Sequence, residues 1–200
     1  MYVGRIVAVG KTDRPFVAYR VSSRSFPNRV ARITEVGAAI QPLDPEDMKK
    51  NPYIAYNCIR VSRNGVVVSN GLHTDPIFEE IEKGTAPDAA LQKVLIQMGY
   101  EKDDFNTPRI AGVVTDTLGF LGTVRADGVE VSTFGLEDNT CRVICTYEMN
   151  RVENKSYPFV ASSALEAARY VVESGVFKEL ELPICAAAWM AELAVYNPHQ

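Results

Sequence analysis

Arg20, Arg24 and Arg29 fall within ten residues of one another in the run Tyr19-Arg20-Val21-Ser22-Ser23-Arg24-Ser25-Phe26-Pro27-Asn28-Arg29. A strand through its first half leaves Arg20 and Ser22 on one face. A loop at Pro27-Asn28 can then return Arg24 and Arg29 toward them. Guanidinium forks take phosphate oxygens in pairs, and hydroxyls and free loop N–H groups complete such a shell. The run reads as a grip for a phosphate monoester. A solvated basic loop paired with acidic neighbours has the same composition.

A second stretch, Tyr56-Asn57-Cys58-Ile59-Arg60, lies in a strand suited to burial. Alternation puts Tyr56, Cys58 and Arg60 on one face and Asn57 on the other. A tyrosine near arginines can have its pKa lowered from about 10 and transfer a proton. A core tyrosine with a satisfied hydroxyl fits equally well. Asn70-Gly71-Leu72-His73-Thr74-Asp75-Pro76 joins a strand to a helix start, where unpaired N–H groups can face an anion or a carbonyl oxygen, or simply be capped. Asp116, in Val113-Val114-Thr115-Asp116-Thr117-Leu118-Gly119, can meet a ribose hydroxyl or serve as a turn residue. The acidic run 101–104 reads as a solvated loop, and Trp189 as core.

Several chemistries are absent. The chain carries no phosphate-binding G-x-x-x-x-G-K-[ST], no G-x-G-x-x-G and no G-x-S-x-G, so nothing points to ATP, a dinucleotide or a serine hydrolase. Four cysteines form no C-x-x-C pair, and His73 and His199 are the only histidines. A zinc site is not expected, and the cysteines read as buried free thiols. Cys141 and Cys145 sit too far apart along a strand for an easy disulfide. No metal or cofactor is expected. A net charge of −4 argues against nucleic acid or an anionic membrane as partner, since both need a basic face. No apolar run approaches the ~18 residues of a membrane span, and the first ten residues lack a signal-peptide pattern. The protein is expected to be cytoplasmic.

The elements that must position these residues are mostly strands. Tyr2 to Val9, Phe16 to Ser23, Val30 to Ile40 and Tyr53 to Ser62 read as extended. Asn64-Gly65 before Val66-Val67-Val68 signals a hairpin. Two helices follow, one capped by Thr74 or Asp75 and stopped by Gly84, the next with a Leu91, Val94, Leu95 and Met98 stripe ending at Gly99. Strands return at Arg109 to Asp116, Phe120 to Val124, Val129 to Phe134 and Cys141 to Met149, with 126–128 and 137–139 as hairpin tips. A helix capped by Ser162 or Ser163 runs through Ser174. The apolar segment Pro183 to Val195 reads as a fourth, buried helix. Local pairing favours antiparallel sheets, and two helix pairs can cover two stacked sheets. The predicted fold is α+β, a four-layer αββα sandwich, in one domain of residues 1–200. The apolar terminal helices suggest a homo-oligomer.

The opening Met1-Tyr2-Val3-Gly4-Arg5, the run Tyr19 to Arg29, Tyr53-Ile54-Ala55-Tyr56-Asn57 and Asn70-Gly71-Leu72-His73-Thr74-Asp75 resemble the archaeal-type IMP cyclohydrolase family. That resemblance implies a fold similar to the N-terminal-nucleophile hydrolases. Their covalent mechanism is not implied, because the chain begins Met1-Tyr2 rather than with a freed nucleophile. It also implies a purine ribonucleotide ligand and closure of 5-formamidoimidazole-4-carboxamide ribotide to IMP with loss of water. Such a reaction needs orientation, a proton acceptor and donors for an oxyanion, but no cofactor. The roles that follow give the phosphate to Arg24, Arg29 and Ser22, and proton transfer to Tyr56 tuned by Arg20. Asn70 and the N–H groups near Asp75 face the reacting oxygen, Asp116 meets the ribose, and Asn57 joins the substrate-binding set. An amide hydrolase with an internal nucleophile such as Cys58, and a non-catalytic nucleotide-binding module, are the alternatives.

Overall fold

A computed structural model describes residues 1–199, Lys50 and Pro52 excepted. In chain order the strands are β1 (Arg5–Lys11), β2 (Pro15–Ser22), β3 (Arg29–Thr34), β4 (Gly37–Pro42), β5 (Tyr56–Ser62), β6 (Gly65–Ser69), β7 (Arg109–Val114), β8 (Leu118–Arg125), β9 (Gly128–Gly135), β10 (Thr140–Cys145), β11 (Tyr157–Pro158), β12 (Pro183–Met190) and β13 (Glu192–Tyr196). The helices are α1 (Asp47–Lys50), α2 (Thr74–Glu82), α3 (Pro87–Met98) and α4 (Ala164–Glu173).

Two antiparallel sheets result. One has the order β11-β10-β1-β2-β12-β13, the other β3-β4-β5-β6-β7-β8-β9. Alternation along each strand decides where the side chains go. In β2, Val17, Tyr19 and Val21 join a core that also holds Ile40, Ile59, Val68 and Ile110 of the other sheet. The intervening Phe16 and Ala18 face the opposite way, onto α4 residues Ala168 and Val171. On the second sheet Val67, Ala111 and Val113 pack beneath α2 and α3. The chain is therefore a mixed α/β protein whose two sheets share one core, with helices against the outward faces.

Helix signals held where capping chemistry was explicit. The Ser163 hydroxyl accepts from the Glu166 N–H at 3.2 Å, and the Glu166 carboxylate takes the Ser162 N–H at 2.8 Å, a reciprocal cap for α4. Gly84 and Gly99 follow α2 and α3 in positive-φ conformations. The fourth predicted helix is absent. Pro183 to Val195 forms β12 and β13 instead, paired Ala188↔Ala194. The segment is apolar on every side because β12 is central and buried on both faces: Cys185 and Ala187 face the other sheet, Ala186 and Ala188 face α4. Two-sided burial and an all-round apolar helix give the same sequence pattern. With that helix goes the second helix pair, and with it the argument for self-association.

Two smaller readings also change. Val30 to Ile40 is not one strand but the hairpin β3–β4, closed at Thr34↔Gly37. Residues 137–139 are no hairpin tip, because β9 and β10 belong to different sheets; they carry the chain across, with Lys11 and Asp138 paired at 2.7 Å. All four cysteines are free and buried, as expected.

Candidate active site

Where β1, β3 and β5 begin and β2 finishes, a cleft of about 370 Å³ opens, lined among others by Arg5, Ser23, Arg29, Tyr53, Glu101 and Phe105. An adjoining hollow of about 420 Å³ shares Tyr2, Ser25, Phe105 and Tyr147 and adds Arg24. Strand geometry explains the gathering. Arg5 precedes the inward-facing Val7 and Val9 by the strand period of two, and Arg29 stands in the same relation to Ala31. Both guanidiniums are thus aimed between the sheets, at their ends, where the core gives way to the cleft.

The loop from Ser23 to Arg29 is held by its own polar groups. The Ser23 hydroxyl accepts from the Phe26 N–H at 3.0 Å, and Arg29 Nε donates to the Phe26 carbonyl at 3.1 Å. Arg24 stays at the mouth, its side chain 63% exposed, stacked 4.1 Å above the Tyr2 ring.

Glu101 is buried, not solvated. Arg109 donates to it at 3.2 Å, and Arg5 lies 3.6 Å away. Burial pushes its carboxyl above the ordinary range, and the two arginines only partly offset that. Gly71 makes room for this arrangement. A Cβ there would sit 3.1 Å from Glu101 Oε1, 3.3 Å from Arg109 Nη1 and 3.4 Å from His73 Nδ1. His73 Nε2 meets the Ile110 carbonyl at 2.9 Å, so it must carry the proton there. Burial, with Arg109 nearby, drives its pKa down to about 3, and the ring is neutral.

Beside Arg5 and Arg29 stand Tyr56 and Tyr19, with hydroxyl oxygens 2.7 Å apart. Burial raises the pKa of Tyr56, and the charges of Arg29 and Arg5 oppose the rise. Burial raises Tyr19 further, with Tyr56 adding to it and Arg5 opposing. For Arg5 itself burial disfavours the charge, and the anionic neighbours it would meet, a phenolate at Tyr56 or Tyr19 and the Glu101 carboxylate, favour it, so the guanidinium stays protonated.

The predicted residues divide by face and by end. Arg24, Arg29 and Tyr56 come together at this end. Arg20 and Ser22 do share a face, and Arg20 Nε donates to the Ser22 hydroxyl at 3.0 Å. That face is the outer one. The Arg20 guanidinium is spent on the carbonyls of Val171, Phe177, Leu180 and Glu181 at 2.6–3.2 Å. It cannot tune Tyr56, which lies across the sheet, and Ser22 is likewise turned away from the cleft. Asn57 and Asp75 pair with each other at 3.0 Å on the outer side of the second sheet. Arg60 joins them, bonded to Asp75. The expected sharing of a face by Tyr56 and Arg60 fails because β5 slips register against β4 between Asn57 and Ile59, and a bulge reverses the alternation beyond it. Asn70 is buried with both ends of its amide used, donating to the Pro108 carbonyl at 3.1 Å and accepting from the Ile110 N–H at 2.8 Å. Asp116 lies at the opposite end of the stack, in a depression with Arg14, Asn64 and Trp189.

Arg5, Glu101 and Tyr19 were missed. Arg5 had a signal, a charge interrupting an apolar alternating strand. Tyr19 shared the inward register of Val17 and Val21. Glu101 had none, since acidic neighbours in a loop usually mean solvent. Among the described residues no cluster of three or more histidine, cysteine, aspartate or glutamate side chains could hold a metal ion, and no helix is long and apolar enough to cross a membrane.

Over residues 2–194 the chain matches the family described as IMP cyclohydrolase-like protein. It is similar to proteins named IMP cyclohydrolase. That of Methanocella arvoryzae is 47% identical over 100% of both chains. That of Methanothrix thermoacetophila is 45% identical over 99% of this chain and 100% of its own. That of Methanocaldococcus jannaschii is 43% identical over 94% of this chain and 93% of its own.

Proposed function

The chain belongs to the IMP cyclohydrolase-like family, and on that premise we propose that it closes 5-formamidoimidazole-4-carboxamide ribotide to IMP, releasing water. The observation that carries the reading at the site is the convergence of Arg5, Arg29 and Glu101 on one cleft beside Tyr56. The carboxamide nitrogen is a weak nucleophile, and the formyl oxygen gains charge as the ring closes. Tyr56 donates a hydrogen bond and then its proton to that oxygen. Arg5 and Arg29 stabilise the charge as it grows, in a partly buried setting where each is worth more than in water. Glu101 accepts the N–H of the carboxamide and turns the nitrogen toward the formyl carbon. Holding two arms of one molecule in contact supplies several kcal/mol of the barrier reduction.

Arg24, at the mouth of the adjoining hollow, takes the phosphate with Ser25. That leaves Ser22, Asn57, Asn70, Asp75 and Asp116 out of the binding set first expected, on the ground of their positions. The layered arrangement of helices and sheets is read as an αββα sandwich similar to the N-terminal-nucleophile hydrolases, in one domain, working in the cytoplasm. An internal cysteine nucleophile is disfavoured, because burial pushes the Cys58 thiol far above its ordinary pKa.

The test is direct. Purified protein is mixed with the formylated ribotide and absorbance is followed as the purine forms. Turnover is expected, with kcat reduced about 100-fold or more in Tyr56→Phe. Full turnover in that variant would remove Tyr56 from the chemistry. Tight IMP binding without turnover by the unaltered protein would make it a nucleotide-binding module instead.

A further inference from the structure

The Tyr19–Tyr56 contact has two possible directions, because either hydroxyl can donate. A phenol has one hydrogen to give, and the surroundings decide which way it points. Tyr19 is wholly buried, whereas Tyr56 keeps 6% of its surface accessible. Each hydroxyl has the other as its hydrogen-bond partner among the described residues. If Tyr56 donated, the Tyr19 hydrogen would be stranded in the core without an acceptor. If Tyr19 donates, both oxygens are served and the Tyr56 hydrogen is free to leave the core.

We propose that Tyr19 is a positioning residue for the ring closure, donating to Tyr56 Oη so that the Tyr56 hydrogen is presented to the substrate's formyl oxygen. The inference rests on the role given to Tyr56 above. In the step concerned, the carboxamide nitrogen bonds to the formyl carbon and the carbonyl π pair moves onto oxygen. That oxygen takes the Tyr56 proton. The phenolate left behind keeps the Tyr19 hydrogen bond, which strengthens once its acceptor is charged. It then recovers a proton from the nitrogen, which has become cationic by forming its new bond. Tyr56 ends the step as it began, and the water departs afterwards.

The charged and titratable groups around the pair are compatible with this. Arg5 of β1 and Arg29 of β3 favour a phenolate at Tyr56. Arg5 also acts on Tyr19. Neither arginine can accept a hydrogen bond from a tyrosine, so neither competes for the Tyr19 proton. Cys58, on the same strand as Tyr56, is a buried thiol and a poor acceptor.

Steady-state kinetics on Tyr19→Phe, Tyr56→Phe and the double variant test the proposal. Phenylalanine keeps the ring in the core and removes only the hydroxyl. Tyr19→Phe is expected to lower kcat about 10–100-fold with KM unchanged, part of what a proton-transfer group contributes. The double variant is expected to match Tyr56→Phe, because Tyr19 acts only through Tyr56. Unchanged kcat in Tyr19→Phe would overturn the proposal, and so would losses that simply multiply in the double variant. If Tyr56→Phe alone proved fully active, the reading of the site would fail. If Tyr56 mattered and Tyr19 did not, only the present inference would.

Discussion

Replacing Arg20 separates a structural cation from a chemical one. In the folded chain its guanidinium meets four backbone carbonyls and one hydroxyl. It ties β2 to the end of α4 and to the segment that follows. Burial lowers its pKa to about 10, so it is still a cation at neutral pH. Arg20→Met fills much of the same space but donates nothing. The carbonyls of Val171 and Phe177 are bonded to it in fully buried surroundings, and stranding each costs about 1–3 kcal/mol, or about 2–6 kcal/mol together. Removing a desolvated charge recovers part of this. A chain of this size loses about 2–4 °C of Tm per kcal/mol, so a fall of roughly 4–24 °C is expected, nearer the lower end. The assay pairs a thermal melt followed by circular dichroism with kcat/KM well below the transition. The expected result is a lower Tm with kcat/KM unchanged. An unchanged Tm with activity lost would refute the reasoning, and would return Arg20 to the chemistry where the sequence first placed it.

Asp116→Asn is expected to leave both kcat and KM as they are, since Asp116 lies at the other end of the sheets; a raised KM would contradict this placement. His73, with its folded pKa pushed down to about 3 against an ordinary 6.5, makes stability fall as pH drops. The unfolded chain binds a proton below about pH 6.5 and the folded chain does not until about pH 3, a slope of up to about 1.4 kcal/mol per pH unit. Urea midpoints measured across that window should drift down, less so in His73→Gln, and an imidazole NMR signal assigned to His73, by its loss in that variant, that moves near pH 6.5 in the folded protein would disprove it. Iodoacetamide is expected to modify none of the four thiols under native conditions and to leave ring closure intact, because burial raises the pKa of Cys145 and Cys185 to about 12 and that of Cys58 and Cys141 well above the ordinary value. Inactivation by alkylation of folded protein would reopen the cysteine reading.

The sequence was informative wherever the chemistry was local. The β5–β6 hairpin forms where the Asn64-Gly65 signal lies, though its turn is Arg63-Asn64 and Gly65 already pairs with Ser62; Ser163 caps α4, and glycines end α2 and α3, because each depends on a few adjacent residues and their φ preferences. It was misleading wherever a face had to be chosen across the fold. Arg20 and Arg29 are nine positions apart in the most suggestive run of the chain, yet Arg20 points to the outer side of the first sheet while Arg29, at the start of β3 in the second sheet, points between the two. Nothing within that run says which side carries the second sheet and which carries α4. The bulge at Cys58 shows the same limit, since one extra residue moves Arg60 from the tyrosine's side to that of Asn57. Glu101 is the extreme case. It becomes a site residue only because Arg5, far from it in the chain, and Arg109, eight residues on, arrive from different sheets and make its burial tolerable. Clustering in sequence and convergence in space are separate properties here, and the site depends on the second. The inward register of Arg5, Tyr19, Arg29 and Tyr56 at the strand ends is what an alternation analysis could have found, had it ranked polar residues by the face they share and not by their distance along the chain.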